Sequence, residues 1–301
     1  MKVSICITTY YRNESLEKCI NSINEIKLKK NNKINIIIVD NTPNNNLDKI
    51  KKKLVKNSKY KITFLNEKKR GRVFARNIYL QKLKIINPDF FCMFDDDCIV
   101  DKYWLLQSIK TINTYKAQVV TGPQLYLNNS KSTMKNTNYS KFFEKNYGKK
   151  NICNVKWAAS NNVLINYKII KKNNLFFDKN LNKFGVGEDQ LFFLMLSKKG
   201  NKIYWNRNMK VYEKFHFQRQ NYNWLINRSY RLGILGHYID QKLYGQLNGF
   251  FVNYLKSIYY LIKSLISIIL VRRNYFEIIL NNFVRFFGRF VGPFIFKNID
   301  F

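Results

Sequence analysis

Apolar residues in the first third of the chain follow two different periods. KVSICITTY (residues 2–10) and INIIIVDN (34–41) are β-branched runs bounded by polar clusters, while SLEKCINSINEI between them spaces its apolar residues near 3.6. The pattern predicts strand, helix, strand. In INIIIV and in FFCMF (90–94) the apolar character is continuous rather than alternating, as in parallel strands covered by helices on both faces. The opening segment therefore reads as an α/β nucleotide-binding unit. In such open sheets ligands collect at the carboxyl ends of the strands, and those ends here carry TTYYRNE, DNTPNNN and DDD.

From residue 130 to 155 the chain turns polar with few β-branched residues, which predicts a loop able to order over a ligand. VKWAASNNVLINYKII then resumes strand and helix signals. FGVGEDQLFFLMLSKKG has glycines ahead of an acidic first turn, an apolar face at Leu191 and Met195, and Gly200 as a stop, so a helix is expected from Glu188. Beyond residue 245, FFVNYLKSIYYLIKSLISIILVRR sets Asn253, Lys256, Lys263 and Ser267 along one narrow stripe and leaves a broad apolar face. Its two lysines leave no charge-free run of the roughly 18 residues that spanning needs. IILNNFVRFFGRFVG repeats the pattern, with Arg285 and Arg289 among its phenylalanines.

Composition changes this picture only in part. A chain of 301 residues with 46% hydrophobic and 16% aromatic residues has the material for a real core, so disorder is excluded. Lys and Arg number 53 against 19 acids, a formal charge of +34, which suits an anionic partner. The excess is spread along the whole sequence and so selects no one partner. The 5 cysteines lack any CxxC pair and sit mostly in apolar runs, which indicates neither a disulfide framework nor a zinc site. The N-terminus reads as a first strand rather than a signal peptide. A reducing cytoplasm is the expected compartment.

Asp95, Asp96 and Asp97 follow a buried strand in this very basic chain. Adjacent carboxylates raise each other's pKa unless a cation neutralises them, and Mg²⁺ or Mn²⁺ suits oxygen ligands. A solvated turn is the competing reading. Glu188 and Asp189 form an acidic pair that would also serve merely to complement a helix N-terminus. Trp224, Arg228 and Arg231 fall on one helical face, suited to a diphosphate or anionic acceptor, with a packed and solvated face as the alternative. His216 lies between two phenylalanines, where a packed side chain competes with a ligand role. TTYYRN lacks the glycines of a dinucleotide-binding first turn, which argues against an oxidoreductase.

Taken in order, SICITTYYRNESL, IIIVDNT, GRVFARN, FDDDC and GVGEDQ resemble glycosyltransferase family 2, the inverting enzymes of GT-A fold. The resemblance covers about residues 2–240 and leaves the tail outside. It implies an α/β GT-A fold, a Rossmann-like, mostly parallel sheet flanked by helices. Residues 1–100 would form its donor half, 101–240 its acceptor half and 246–301 an amphipathic helical tail.

Carried over residue by residue, the resemblance puts Thr9, Tyr10, Arg12 and Asp40 around the nucleotide. Asp40 would accept the imide N–H of uracil or thymine, unless it only starts a turn. Gly71 would permit close backbone approach, and Arg76 would face the base or diphosphate. Asp96, Arg228 and Arg231 join the donor side. The DxD motif maps onto Asp95 and Asp97 as metal ligands for Mn²⁺ or Mg²⁺, with His216 as a further candidate; where the family often has an acid next, this chain has Cys98. Asp189 maps onto the catalytic base, with Glu188, Trp157 and Trp224 on the acceptor side.

The implied reaction is transfer from a UDP- or dTDP-type sugar to a hydroxyl of a glycan or lipid-linked saccharide, as in bacterial surface polysaccharide synthesis. The tail suits a helix in the headgroup layer of an anionic membrane, at the inner face of the cell membrane, or else packing on the domain or a second subunit. A basic nucleic-acid-binding protein and an inactive scaffold are the rival readings. No nucleic-acid-binding signature is present.

Overall fold

The computed structural model describes residues 1–28, 31–127, 151–214, 221–269 and 275–296. The described residues form two units, one built from the chain up to residue 127 together with 151–214, the other from residue 221 onward.

In the first unit, β1 (Lys2–Thr9), β2 (Lys33–Asp40), β3 (Lys61–Asn66) and β4 (Phe90–Asp95) run parallel, joined through α1 (Asn13–Asn24), α2 (Lys51–Asn57) and α3 (Arg72–Ile86). Further strands are β5 (Ile99–Val100), β6 (Val119–Thr121), β7 (Gln124–Leu127), β8 (Ile152–Val155), β9 (Val163–Asn166), β10 (Ile203–Asn206) and β11 (Val211–Lys214). The helices among them are α4 (Trp104–Tyr115), α5 (Tyr167–Asn173) and α6 (Glu188–Lys198). The main sheet has the order β3-β2-β1-β4-β9-β6-β10-β8.

The continuous apolar strands are buried on both faces because helices cover both. Ile5, Ile7, Ile36 and Ile38 point to one core with Leu16, Ile20 and Trp104. Cys6, Ile37 and Val39 point to the other with Tyr79, Leu83 and Phe192. The alternation of side chains across a pleated strand splits one apolar run between two cores. A second, small sheet of order β5-β11-β7 brings the chain just after the aspartates beside β11. Its strands are two to four residues long, too short to announce themselves by period. Of the expected loop at 130–155, the last residues form β8 and 130–150 lie outside the described residues.

The second unit packs α7 (Tyr222–Tyr244), α8 (Gln246–Ile269) and α9 (Tyr275–Ile295). Glycines set the α7–α9 crossing: a Cβ on Gly233 would stand 2.6 Å from the Arg285 carbonyl oxygen, so only bare backbone fits. Its burial pattern is inverted. On α8 the buried residues are Gly249, Asn253, Ser257, Ser264 and Ser267, while Phe251, Leu255, Ile262 and Ile266 are exposed. Asn253 and Ser267 of the expected polar stripe therefore point inward, whereas Lys256 is half-buried and Lys263 exposed. No helix among the described residues is long and apolar enough to cross a membrane.

Candidate active site

The carboxyl ends of β1, β2 and β4 carry the acidic and polar residues that the sequence singled out. Beyond β4 the burial alternates: Asp96, Cys98 and Val100 are buried, Asp95, Asp97 and Ile99 are not. Of the three side chains Asp95 is the most open, at 29% exposed, whereas those of Asp97 and Asp96 are 9% and 5% exposed. Asp96 accepts from the Thr9 hydroxyl at 2.7 Å, the Tyr10 amide at 3.4 Å and Arg12 Nη1 at 3.2 Å. The same Nη1 reaches Asp97 Oδ2 at 2.8 Å, so Arg12 supplies the positive charge that adjacent carboxylates require. Burial pushes the Asp96 carboxyl up to about 6, against the opposing pull of the Thr9 hydrogen bond and Arg12. Asp96 pins the exit loop of β1, where Tyr11 adopts a left-handed φ of 53° and Tyr10 and Tyr11 are exposed.

Asp40 ends β2 and is almost wholly buried. Its Oδ1 accepts from the Thr42 amide and its Oδ2 from the Leu47 amide, both at 2.9 Å, so its carboxylate shapes the loop that follows. Asn41, which the sequence reading passed over, donates to the carbonyls of Glu67 and Lys69 and accepts from the Gly71 amide at 2.7 Å. Gly71 has φ 142°, and a Cβ there would lie 1.8 Å from Asn182 Oδ1. The group that approaches Gly71 here is the Asn182 side chain.

Arg76, on the first turns of α3, is 2% exposed. Its Nη1 donates to Glu188 Oε1 at 2.9 Å and its Nη2 faces Asp95 Oδ1 at 3.4 Å, with the guanidinium 5.5 Å from the centre of the Phe177 ring. One cation therefore joins the end of β4 to the start of α6, whose N-cap Gly187 sits in the left-handed region at φ 90°. Burial pushes the Glu188 carboxyl up, but Arg72 and Arg76 outweigh it and hold the group below its ordinary value. Asp189 follows on the same turn, half-buried, accepting from the Gln190 amide at 2.8 Å and acting electrostatically on Arg76.

Below the aspartates lies a group absent from the sequence reading. Glu213 on β11 accepts from Asn161 Nδ2 at 2.5 Å, from the Cys98 thiol at 3.5 Å and from the Gln124 amide. Burial, helped by Glu213 and Asp95, pushes the Cys98 thiol well up, so it stays protonated and donates. Among the described residues, ligand atoms of Asp97, Cys98 and Glu213 lie within 4.8 Å of one another. The carboxylate oxygens of Asp97 and Glu213 suit a hard divalent cation such as Mn²⁺ or Mg²⁺, whereas the protonated Cys98 thiol does not. The one available signal for Glu213 was a lone acid inside the short apolar strand VYEK.

Trp157 is half-buried against the second core. Trp224, Arg228 and Arg231 belong to the second unit, where Arg228 stacks 5.2 Å from the Trp224 ring centre and Arg231 is exposed. His216 lies outside the described residues.

A mixed, mostly parallel sheet flanked by helices is the GT-A class of glycosyltransferase fold. The sequence profile of Glycosyl transferase family 2 matches residues 4–174, and the chain belongs to that family. S. aureus TarS has a similar fold at 16% identity and a TM-score of 0.54, with 83% of this chain covering 44% of TarS, less than half of that protein. TarS 1–349 in complex with UDP-GlcNAc gives 18% identity and a TM-score of 0.53, over 84% of this chain and 73% of that one. Mannosyltransferase PcManGT from Pyrobaculum calidifontis, in complex with GDP-Man and Mn²⁺, gives 12% and 0.56, over 99% and 76%. At these identities the likeness is one of fold. No curated protein matches the chain.

Proposed function

We propose that the chain is an inverting glycosyltransferase that moves a sugar from a nucleoside diphosphate sugar, of UDP or dTDP type, to a hydroxyl of a glycan or lipid-linked saccharide. The observation that carries this reading is Arg76, which holds Glu188 and Asp95 on one guanidinium and so gathers two acidic segments far apart in sequence. Support also comes from the family and from the nucleotide sugars bound by the neighbours.

The residues then divide the work. Thr9, Tyr10, Arg12, Asp40 and Gly71 frame the nucleotide, and Asp96 keeps the β1 exit loop in place. Asp95 and Asp97 would hold Mn²⁺ or Mg²⁺, with His216 a further candidate ligand; when bound, the ion offsets charge on the leaving diphosphate. Asp189 takes the proton from the acceptor hydroxyl as its oxygen bonds to the anomeric carbon and the carbon–diphosphate bond breaks on the opposite face. Glu188, kept ionised by Arg72 and Arg76, orients the acceptor with Trp157. Asp189→Asn should abolish transfer and leave donor affinity within about threefold, since a shape-conserving change removes a base and no donor contact; full activity of that variant sinks the assignment.

The acceptor is proposed to lie at the inner face of an anionic membrane, held there by the second unit. Its helices bond through polar side chains, Asn253 to the Arg289 carbonyl at 3.1 Å and Ser257 to the Phe286 carbonyl at 3.2 Å, and turn large apolar side chains outward. Small and polar residues between helices with apolar residues outside is the packing expected where the surroundings are lipid. Residues 246–301 carry seven Lys or Arg against Glu277 and Asp300, which suits acidic headgroups. The segment holds no tryptophan, so Phe251→Trp adds a reporter there, read as the difference from wild type with its 4 tryptophans elsewhere. Acyl-brominated anionic vesicles should quench it, whereas unquenched emission together with a concentration-dependent dimer would assign the face to a second copy.

A further inference from the structure

Glu213 lies outside the motifs that link this chain to its family, and it sits where the two sheets of the first unit meet. Its strand β11 pairs with β5 on one side and β7 on the other, and β5 begins right after the Asp triplet. The carboxylate is 3% exposed and is gripped from three directions. Asn161 comes from the segment ahead of β9, Gln124 from β7, and Cys98 from the turn that carries Asp97. Cys98 is held twice over, since its thiol also lies 3.6 Å from the Asn161 carbonyl and its amide donates to the Asp95 carbonyl at 3.2 Å. Asn161 is braced in turn by Asn162, whose side chain donates to the carbonyls of Pro123 and Met209 at 2.9 Å.

This grip fixes the backbone between Asp95 and β5, and so fixes the direction in which Asp97 leaves it. A second observation points toward a ligand at this cluster. Gln124 is 4% exposed and gives its amide nitrogen to Glu213, while its Oε1 is buried with no hydrogen-bond partner among the described residues. Orphaned buried acceptors are rare, and an ion or an ordered water commonly supplies the partner.

We propose that Glu213, clamped by Asn161 and Gln124, is the positioning residue of the cation site: through the Cys98 turn it fixes Asp97 and adds negative charge beside it. Loss of a group that orients a ligand in this way typically weakens metal binding about 10–100-fold. The inference rests on the reading that Asp97 holds the ion, and the test separates the two.

Mn²⁺ is titrated into the full chain, and the free-ion signal is followed by electron paramagnetic resonance, with no sugar donor present. Wild type should take up Mn²⁺, and Asp97→Ala should not. Glu213→Gln, which keeps shape and loses charge, should bind about 10–100-fold more weakly, with its thermal midpoint in EDTA close to that of wild type. If Glu213→Gln fails to fold, Asn161→Ser is read by the same criterion, because it releases one arm of the clamp. Wild-type affinity in the folded variant, alongside loss in Asp97→Ala, overturns the role of Glu213 and leaves the Asp97 reading standing. No uptake by wild type overturns both.

Discussion

Replacing Arg76 with methionine tests the link between the two acidic segments. The change keeps most of the side chain's length and removes its charge. Among the ion pairs of the described residues, Glu188, 3% exposed, would then keep the one with half-exposed Arg72 at 3.4 Å, and Asp95 would lose its contact with Nη2. Breaking a buried ion pair from one side costs about 3–5 kcal/mol, because a charge is left uncompensated in a dry place. For a domain of 150–250 residues each kcal/mol moves the thermal midpoint by about 2–4 °C, so the drop should be about 6–20 °C. The double variant Arg76→Met/Glu188→Gln removes the stranded charge as well, and should recover a large part of the loss. Differential scanning calorimetry of the four proteins of this cycle reads both effects. A single variant within about 2 °C of wild type, or a double variant no better than the single, would refute the claim that Arg76 compensates Glu188.

Other outcomes follow from the same geometry. Gly71→Ala should lower the urea midpoint by the equivalent of about 2 kcal/mol or more, since φ 142° is strained for alanine and the Cβ meets Asn182; an unchanged midpoint contradicts this. In the second unit, burial, with Arg289 of α9 adding to it and Asp240 of α7 opposing, holds the buried His237 down at about 4. The unfolded chain binds a proton that the folded chain refuses between that value and the ordinary 6.5, so stability is complete above this window and falls as the pH drops through it. Asp96, raised to about 6, contributes with the opposite sign in part of this window, so the His237 effect is read as a difference: the rise of the unfolding midpoint with pH should be steeper in wild type than in His237→Gln. Equal slopes would remove His237 from the account.

The period of apolar residues located β1, α1, β2 and β4 closely, because strands buried on both faces need uninterrupted apolar runs and the helix between them needs an apolar stripe. The start of α6 at Glu188 was equally legible, since its glycines and acids mark a helix N-terminus. The second sheet was not. Its strands are too short for a period, and what makes Glu213 matter is pairing between segments distant in sequence. Arg76 was read as facing the donor, whereas the fold engages it with Glu188 and Asp95, a partnership that no local pattern encodes. Asp96 and Asp97 share Arg12, yet only Asp96 also takes the Thr9 hydroxyl, a contact between the turn and β1 that no local pattern encodes. On α8 the amphipathic stripe was visible, but periodicity alone does not say which face meets the rest of the protein. The structure turns the small and polar side inward.

Asp95 and Asp97 are proposed to serve a cation-dependent diphosphate site. Calorimetric titration of UDP, dTDP and GDP into wild type, Asp97→Ala and Asp189→Asn, each with Mn²⁺ and with EDTA, tests it most directly. Wild type and Asp189→Asn should bind at least one of these nucleotides in a Mn²⁺-dependent way, and Asp97→Ala should bind it at least about tenfold more weakly. Binding that is indifferent to Mn²⁺ and to the loss of Asp97, or no binding at all, would contradict it.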